Sequence, residues 1–138
     1  MRAQVSVEFL IIIGMIMILI LPVIIYAFSI LNVENQDRIN SVKAETAIDR
    51  IAYTIDSVGS AGIGSALYTN IFVSSVDNVS VEKNEIKFTI NTIDGPVEIY
   101  RITQYNLTSD GSLSKIKVGE YKLLINATNS TTVNVKLV

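Results

Sequence analysis

The sequence predicts an α+β protein: a long N-terminal helix, transmembrane in its first half and amphipathic in its second, packed on an antiparallel β-sheet head. Three patterns carry that expectation. Residues 9–31 read FLIIIGMIMILILPVIIYAFSIL, and 20 of the 23 are apolar. Apolar residues between 39 and 58 recur every three or four positions, which is the helical period. Beyond residue 70 they alternate with polar ones, which is the period of a half-buried strand.

Composition bounds what the chain can do. Of 138 residues 49% are hydrophobic, and the mean hydropathy is +0.44. The excess sits in residues 9–31; outside that run the apolar share is roughly 42%, ordinary for a globular domain. There is no Cys, His or Trp. A disulfide scaffold, a thiolate or imidazole metal site and a Ser-His-Asp triad are therefore excluded. Eleven Lys and Arg face thirteen Asp and Glu, a net charge of −2 with no basic block, which argues against nucleic acid as a partner.

The first element is the apolar run. At 1.5 Å per residue it spans roughly 35 Å as a helix, enough for a bilayer core of about 30 Å. A secretory signal peptide has a shorter apolar region and a small-residue cleavage site, which this run lacks. A soluble core helix is rarely apolar on every face. Arg2 precedes the run, and Glu34 and Asp37 follow it. The positive-inside rule then puts the N-terminus in the cytoplasm and the rest outside, as a single-pass membrane protein. Four Asn-x-Ser/Thr sequons, at Asn78, Asn106, Asn126 and Asn129, are candidate glycosylation sites on an outside head.

Glu8 is a carboxylate at the edge of hydrocarbon, followed by 25 uncharged residues (9–33). Two readings are open: a helix-start carboxylate held by the dipole at the headgroups, or a group kept for a function or a partner. Its neighbours bear on the choice. The leader Met1-Arg2-Ala3 carries one positive charge and ends in a small residue. Gln4, Ser6, Glu8 and Phe9 follow, then the apolar run.

This N-terminus resembles the class III signal peptide of archaeal type IV pilin-like proteins, whose pattern is Gln-x-Ser-x-Glu-Phe ahead of a hydrophobic segment. Gln4, Ser6, Glu8 and Phe9 match it, over about 30 residues of 138. The resemblance implies a membrane-embedded prepilin peptidase that recognises these four residues and cuts between Ala3 and Gln4. The helix then remains as the mature N-terminus. It further implies polymerisation through the helix into an extracellular pilus for adhesion, driven by an assembly ATPase and a platform protein. In type IV pilins the corresponding Glu pairs with the freed N-terminal amine, here that of Gln4, and sets the axial register.

Gly14 and Pro22 lie inside the span. Gly14 permits close helix packing, and Pro22 removes one helix hydrogen bond. Together they allow either a mild kink or a stretch that melts on assembly. Ser29 is expected to bond back to its own helix.

The second half of the helix, residues 32–58, offers Ile39, Val42, Ala44, Ala47, Ile48, Ile51, Ala52, Ile55 and Val58 as one apolar stripe. Its charged residues are expected mainly on the other face. GSAGIGSA at 59–66 ends the helix and begins a Gly/Ser linker over 59–69. It lacks the Lys-Ser/Thr of a phosphate loop.

The head, 70–138, is expected as an antiparallel meander. Its inward positions include Val79 and Val81; Ile86, Phe88 and Ile90; Val97 and Ile99; Leu123 and Ile125; and Val133, Val135 and Leu137. Turns are expected at 82–85, Asp94-Gly95-Pro96, Asp110-Gly111, Gly119-Glu120 and 127–130. Glu82 and Glu85 flank a turn and read as solvated. Tyr100, Tyr105 and Tyr121 read as strand packing rather than a sugar site. No catalytic constellation, metal ligand set or cofactor motif is present, so an enzyme is not expected. The functional expectation is a major or minor pilin, with self or related pilins as partners. The alternative is a membrane-anchored binding or accessory module that uses pilin-like targeting only.

Overall fold

The computed structural model describes the backbone from residue 2 onward and the side chains from residue 7 onward. The chain divides into two units between Gln36 and Asp37.

In the first unit the backbone is helical from Arg2, and the helix passes Gly14 and Pro22 without interruption. α1 as a whole runs Arg2–Ala61. The Ser29 hydroxyl donates to the Tyr26 carbonyl at 2.8 Å, as expected of a hydroxyl inside a helix. Every described side chain from 7 to 36 is exposed.

The second unit starts with the rest of α1. Ala44, Ala47, Ile48, Ile51, Ile55 and Val58 are buried, at steps of three and four along one helix face. Ile39 and Val42 depart from the expected stripe: they are 45% and 55% exposed. Val42 precedes Ala44 by two positions, about 200° around the helix, so it faces away from the core. The helix ends three residues later than the last stripe position. Gly62 at φ +93 supplies the left-handed turn that stops it, and the Ser65 hydroxyl donates to the Val58 carbonyl at 2.7 Å.

Seven strands follow: β1 Ala66–Val73, β2 Asn78–Glu82, β3 Glu85–Thr92, β4 Gly95–Ile102, β5 Asn106–Ser109, β6 Gly119–Ala127 and β7 Thr132–Leu137. A short 3-10 turn covers Ser112–Lys115. β1 begins at Ala66 rather than beyond a linker reaching 69. Its apolar residues hide the period, because Tyr68 and Phe72 face outward while Thr69, Ile71 and Val73 face inward.

The strands do not form one meander. They make a four-stranded sheet in the order β1-β6-β7-β5 and a three-stranded sheet in the order β2-β3-β4. The β2-β3-β4 sheet and the β6–β7 hairpin follow local turns. β1 instead pairs antiparallel with β6, from Ala66 opposite Asn126 to Val73 opposite Gly119. β5 pairs parallel with β7, so the four-stranded sheet is mixed, while the three-stranded sheet is purely antiparallel. One core joins the inward residues of both sheets, including Phe88, Ile86, Ile90, Leu123, Ile125, Val133 and Val135, to the helix stripe. The head is thus a helix-packed sheet domain. Burial of these side chains stabilises it at about 1.5–3 kcal/mol each before the entropy of folding is counted.

Candidate functional site

The candidate site in the first unit is a surface. From Val7 to Val33 the large apolar side chains are exposed, among them Phe9, Leu10, Ile18, Leu19 and Ile25. Leu, Ile and Met favour a helix or tolerate it well, and no described charged side chain interrupts them between Glu8 and Glu34. By length and composition this helix can cross a membrane as a single span.

Glu8 and Phe9 are exposed at the start of this surface. The side chains of Ala3, Gln4 and Ser6 lie outside the described residues, and with them the expected cleavage site and amine partner. A Cβ built at Gly14 meets nothing within 4 Å, so this point on the helix is open to a neighbouring backbone. Pro22 lies within the same exposed run.

The sequons fall at different depths in the head. Asn78 and Asn106 open β2 and β5 and are exposed. Asn129 is exposed in the β6–β7 turn, where its Oδ1 accepts from the Thr131 amide at 2.9 Å and the Thr131 hydroxyl at 3.1 Å. Asn126 is half-buried in β6, held between Ala66 of β1 and Asn134 of β7.

The tyrosines serve different ends. Tyr105 packs on the core, and its ring lies where a Cβ of residue 59 would be. The Tyr121 hydroxyl accepts from the Lys117 amide at 3.2 Å. Tyr100 is 54% exposed. Glu82 and Glu85 face each other across the β2–β3 turn, and Glu82 is exposed.

The helix carboxylates form contacts that sequence reading missed. Asp37 Oδ2 accepts the Ile93 amide at 2.8 Å, and Asp56 Oδ1 accepts the Gln104 amide at 3.0 Å. Between them Arg101 of β4 donates to Glu45 Oε1 at 2.9 Å and also bonds Asp49. These carboxylates, foremost Asp49, raise the Arg101 pKa above its already high ordinary value. On the opposite flank Arg50 donates to the Asn70 carbonyl of β1 at 3.0 Å. The helix thus bonds an edge strand of each sheet, β4 through the Arg101 side chain and β1 through the Asn70 carbonyl. The signal was the spacing 45, 49 and 56, which puts three carboxylates on one helix face.

Among the described residues no three Asp or Glu side chains gather as a metal ligand set. No family model matches the chain, and neither does any curated protein or solved structure.

Proposed function

We propose that the chain is a structural subunit, a major or minor pilin, of an archaeal type IV-like extracellular filament used for adhesion. It enters the membrane through residues 9–31 with its N-terminus in the cytoplasm and its head outside. A prepilin peptidase reads Gln4, Ser6, Glu8 and Phe9 and cuts after Ala3. An assembly ATPase and platform protein then pass the subunit into the polymer.

The observation that carries this reading is the exposed apolar surface of residues 7–33. Such a surface is unfavourable in water and calls for lipid or protein. A bilayer meets the need before assembly, and a bundle of like helices meets it afterwards. In the bundle Glu8 requires a cation, because an unpaired carboxylate near a dry core is costly. The freed amine of Gln4, on the same or a neighbouring subunit, supplies it.

Mass spectrometry of the native protein tests the processing step. A mature N-terminus at Gln4 is expected, and a retained Met1 contradicts the reading. Glu8→Ala is expected to leave cleavage and insertion intact while lowering filament yield at least tenfold. Abundant normal filaments from this variant would remove the pairing role.

A further inference from the structure

The four-stranded sheet carries cations on its solvent side that the chain holds in place but does not neutralise. β1 turns Tyr68, Asn70 and Phe72 outward, and β6 turns out Glu120 and Lys122 beside them. Asn70 lies opposite Lys122, and Phe72 opposite Glu120. Lys122 Nζ sits 4.5 Å from the centroid of the Tyr68 ring. From the helix, Lys43 Nζ sits 5.5 Å from that of Phe72, and Arg50 donates to the Asn70 carbonyl at 3.0 Å. A ring face or a carbonyl attracts a cation and fixes its position, yet brings no net charge to cancel it. Among the described residues none of Lys43, Arg50 and Lys122 has a carboxylate within salt-bridge distance. On the three-stranded sheet, by contrast, Lys87 is paired with Glu98 and Arg101 with Glu45 and Asp49.

A cleft of about 500 Å³ opens where these groups meet, and Arg50, Asn70, Phe72, Glu120 and Lys122 are among its lining. Glu120 decides which anion fits. A nucleic acid or a heavily sulfated polymer would bring dense negative charge against this carboxylate. A ligand with one anionic group and several hydroxyls suits the whole lining. Its carboxylate meets Arg50 and Lys122 through charge-assisted bonds. Its hydroxyls donate to Glu120 and bond the exposed Asn70 amide. Its C–H groups lie against Phe72, which is 48% exposed.

We propose that this cleft binds an acidic saccharide, a uronic-acid unit of a polysaccharide. The chain as a whole carries −2, so the attraction is local to these cations and does not come from net charge. The cleft lies wholly within the second unit. It goes beyond the filament reading, because it serves an adhesive filament and an anchored module alike.

The full-length chain in an uncharged detergent tests the site, with affinity read by biolayer interferometry. The probes are polygalacturonate, the same polymer methyl-esterified, dextran sulfate and a DNA oligonucleotide. Polygalacturonate should bind at least tenfold tighter than its ester and tighter than the two denser polyanions. No binding of polygalacturonate, or equal binding of the ester, overturns the proposal. Dextran sulfate or DNA binding as tightly as polygalacturonate overturns the choice of a sugar acid. Lys43→Gln/Lys122→Gln should weaken polygalacturonate at least tenfold with an unchanged circular-dichroism melt. Lys83→Gln/Lys87→Gln removes the same charge elsewhere and should change affinity less than twofold. Equal losses from the two pairs overturn the cleft as the site. Glu120→Gln should tighten dextran sulfate at least threefold and leave polygalacturonate no tighter; equal gains for both overturn the selective role of Glu120. All of these readouts use the purified chain, so their failure is distinct from a failure to form filaments.

Discussion

Gly59 shows how one missing Cβ shapes the end of a helix. The Tyr105 ring occupies the volume a side chain would need, so Gly59→Ala must displace a ring packed on the core. Overpacking of this kind costs about 1–3 kcal/mol. Thermal unfolding should therefore show a lower Tm, and Tyr105→Ala in the same chain should make the alanine at 59 close to neutral. Lys83 carries a different strain. Its φ of +48 lies in the left-handed region, which a side chain disfavours. Lys83→Gly should stabilise the head by about 0.5–1 kcal/mol, the relief of that strain less the extra entropy of glycine. Asp110 offers a pH signal. The Ser112 hydroxyl and then the Ser112 amide hold its carboxyl below the ordinary 3.8. A lowered folded-state pKa adds stability above the unfolded value and loses it as pH falls through the folded one. Asp110→Asn should therefore lower Tm slightly at pH 7, change it little once pH is below the folded-state value, and so flatten the decline in Tm below about pH 4.

At the scale of elements, the helix–sheet fastening is the feature with most consequence. Arg101 and the carboxylates at 45 and 49 are each partly exposed, so solvent screens them and each pair is worth about 0.2–1 kcal/mol. Arg101→Leu should cost about 1–2 kcal/mol in denaturant unfolding, whereas Ile51→Ala in the stripe beneath should cost about 2–5 kcal/mol. Much of this architecture was legible in the sequence. The apolar run, the stripe from Ala44 to Val58 and the alternation at Ile86, Phe88 and Ile90 each announce their period. β1 was hidden because Tyr68 and Phe72 make both of its faces apolar. The β1–β6 and β5–β7 pairings were hidden because they join strands with others between them in the chain, and alternation reports a strand but never its partner.

The whole molecule joins two units with opposite demands. Residues from Asp37 onward bury their apolar side chains in one core. The described side chains before Asp37 are exposed, and most of them are apolar. A chain starting at Asp37 should fold and stay in solution, with circular dichroism reporting mixed helix and strand and a single cooperative melt. Any glycan on the head should favour exposed Asn78, Asn106 and Asn129 over half-buried Asn126. Peptide mapping of native protein would read occupancy at Asn126 several-fold below the other three. In the proposed filament the exposed helix is the assembly element. Electron microscopy of cells overproducing the full chain with its peptidase and assembly machinery tests it most directly. Filaments made of this chain, starting at Gln4 and lost with Glu8→Ala, are the expected result. A correctly cleaved chain that stays in the membrane and enters no filament, whether alone or beside related pilins, would contradict it.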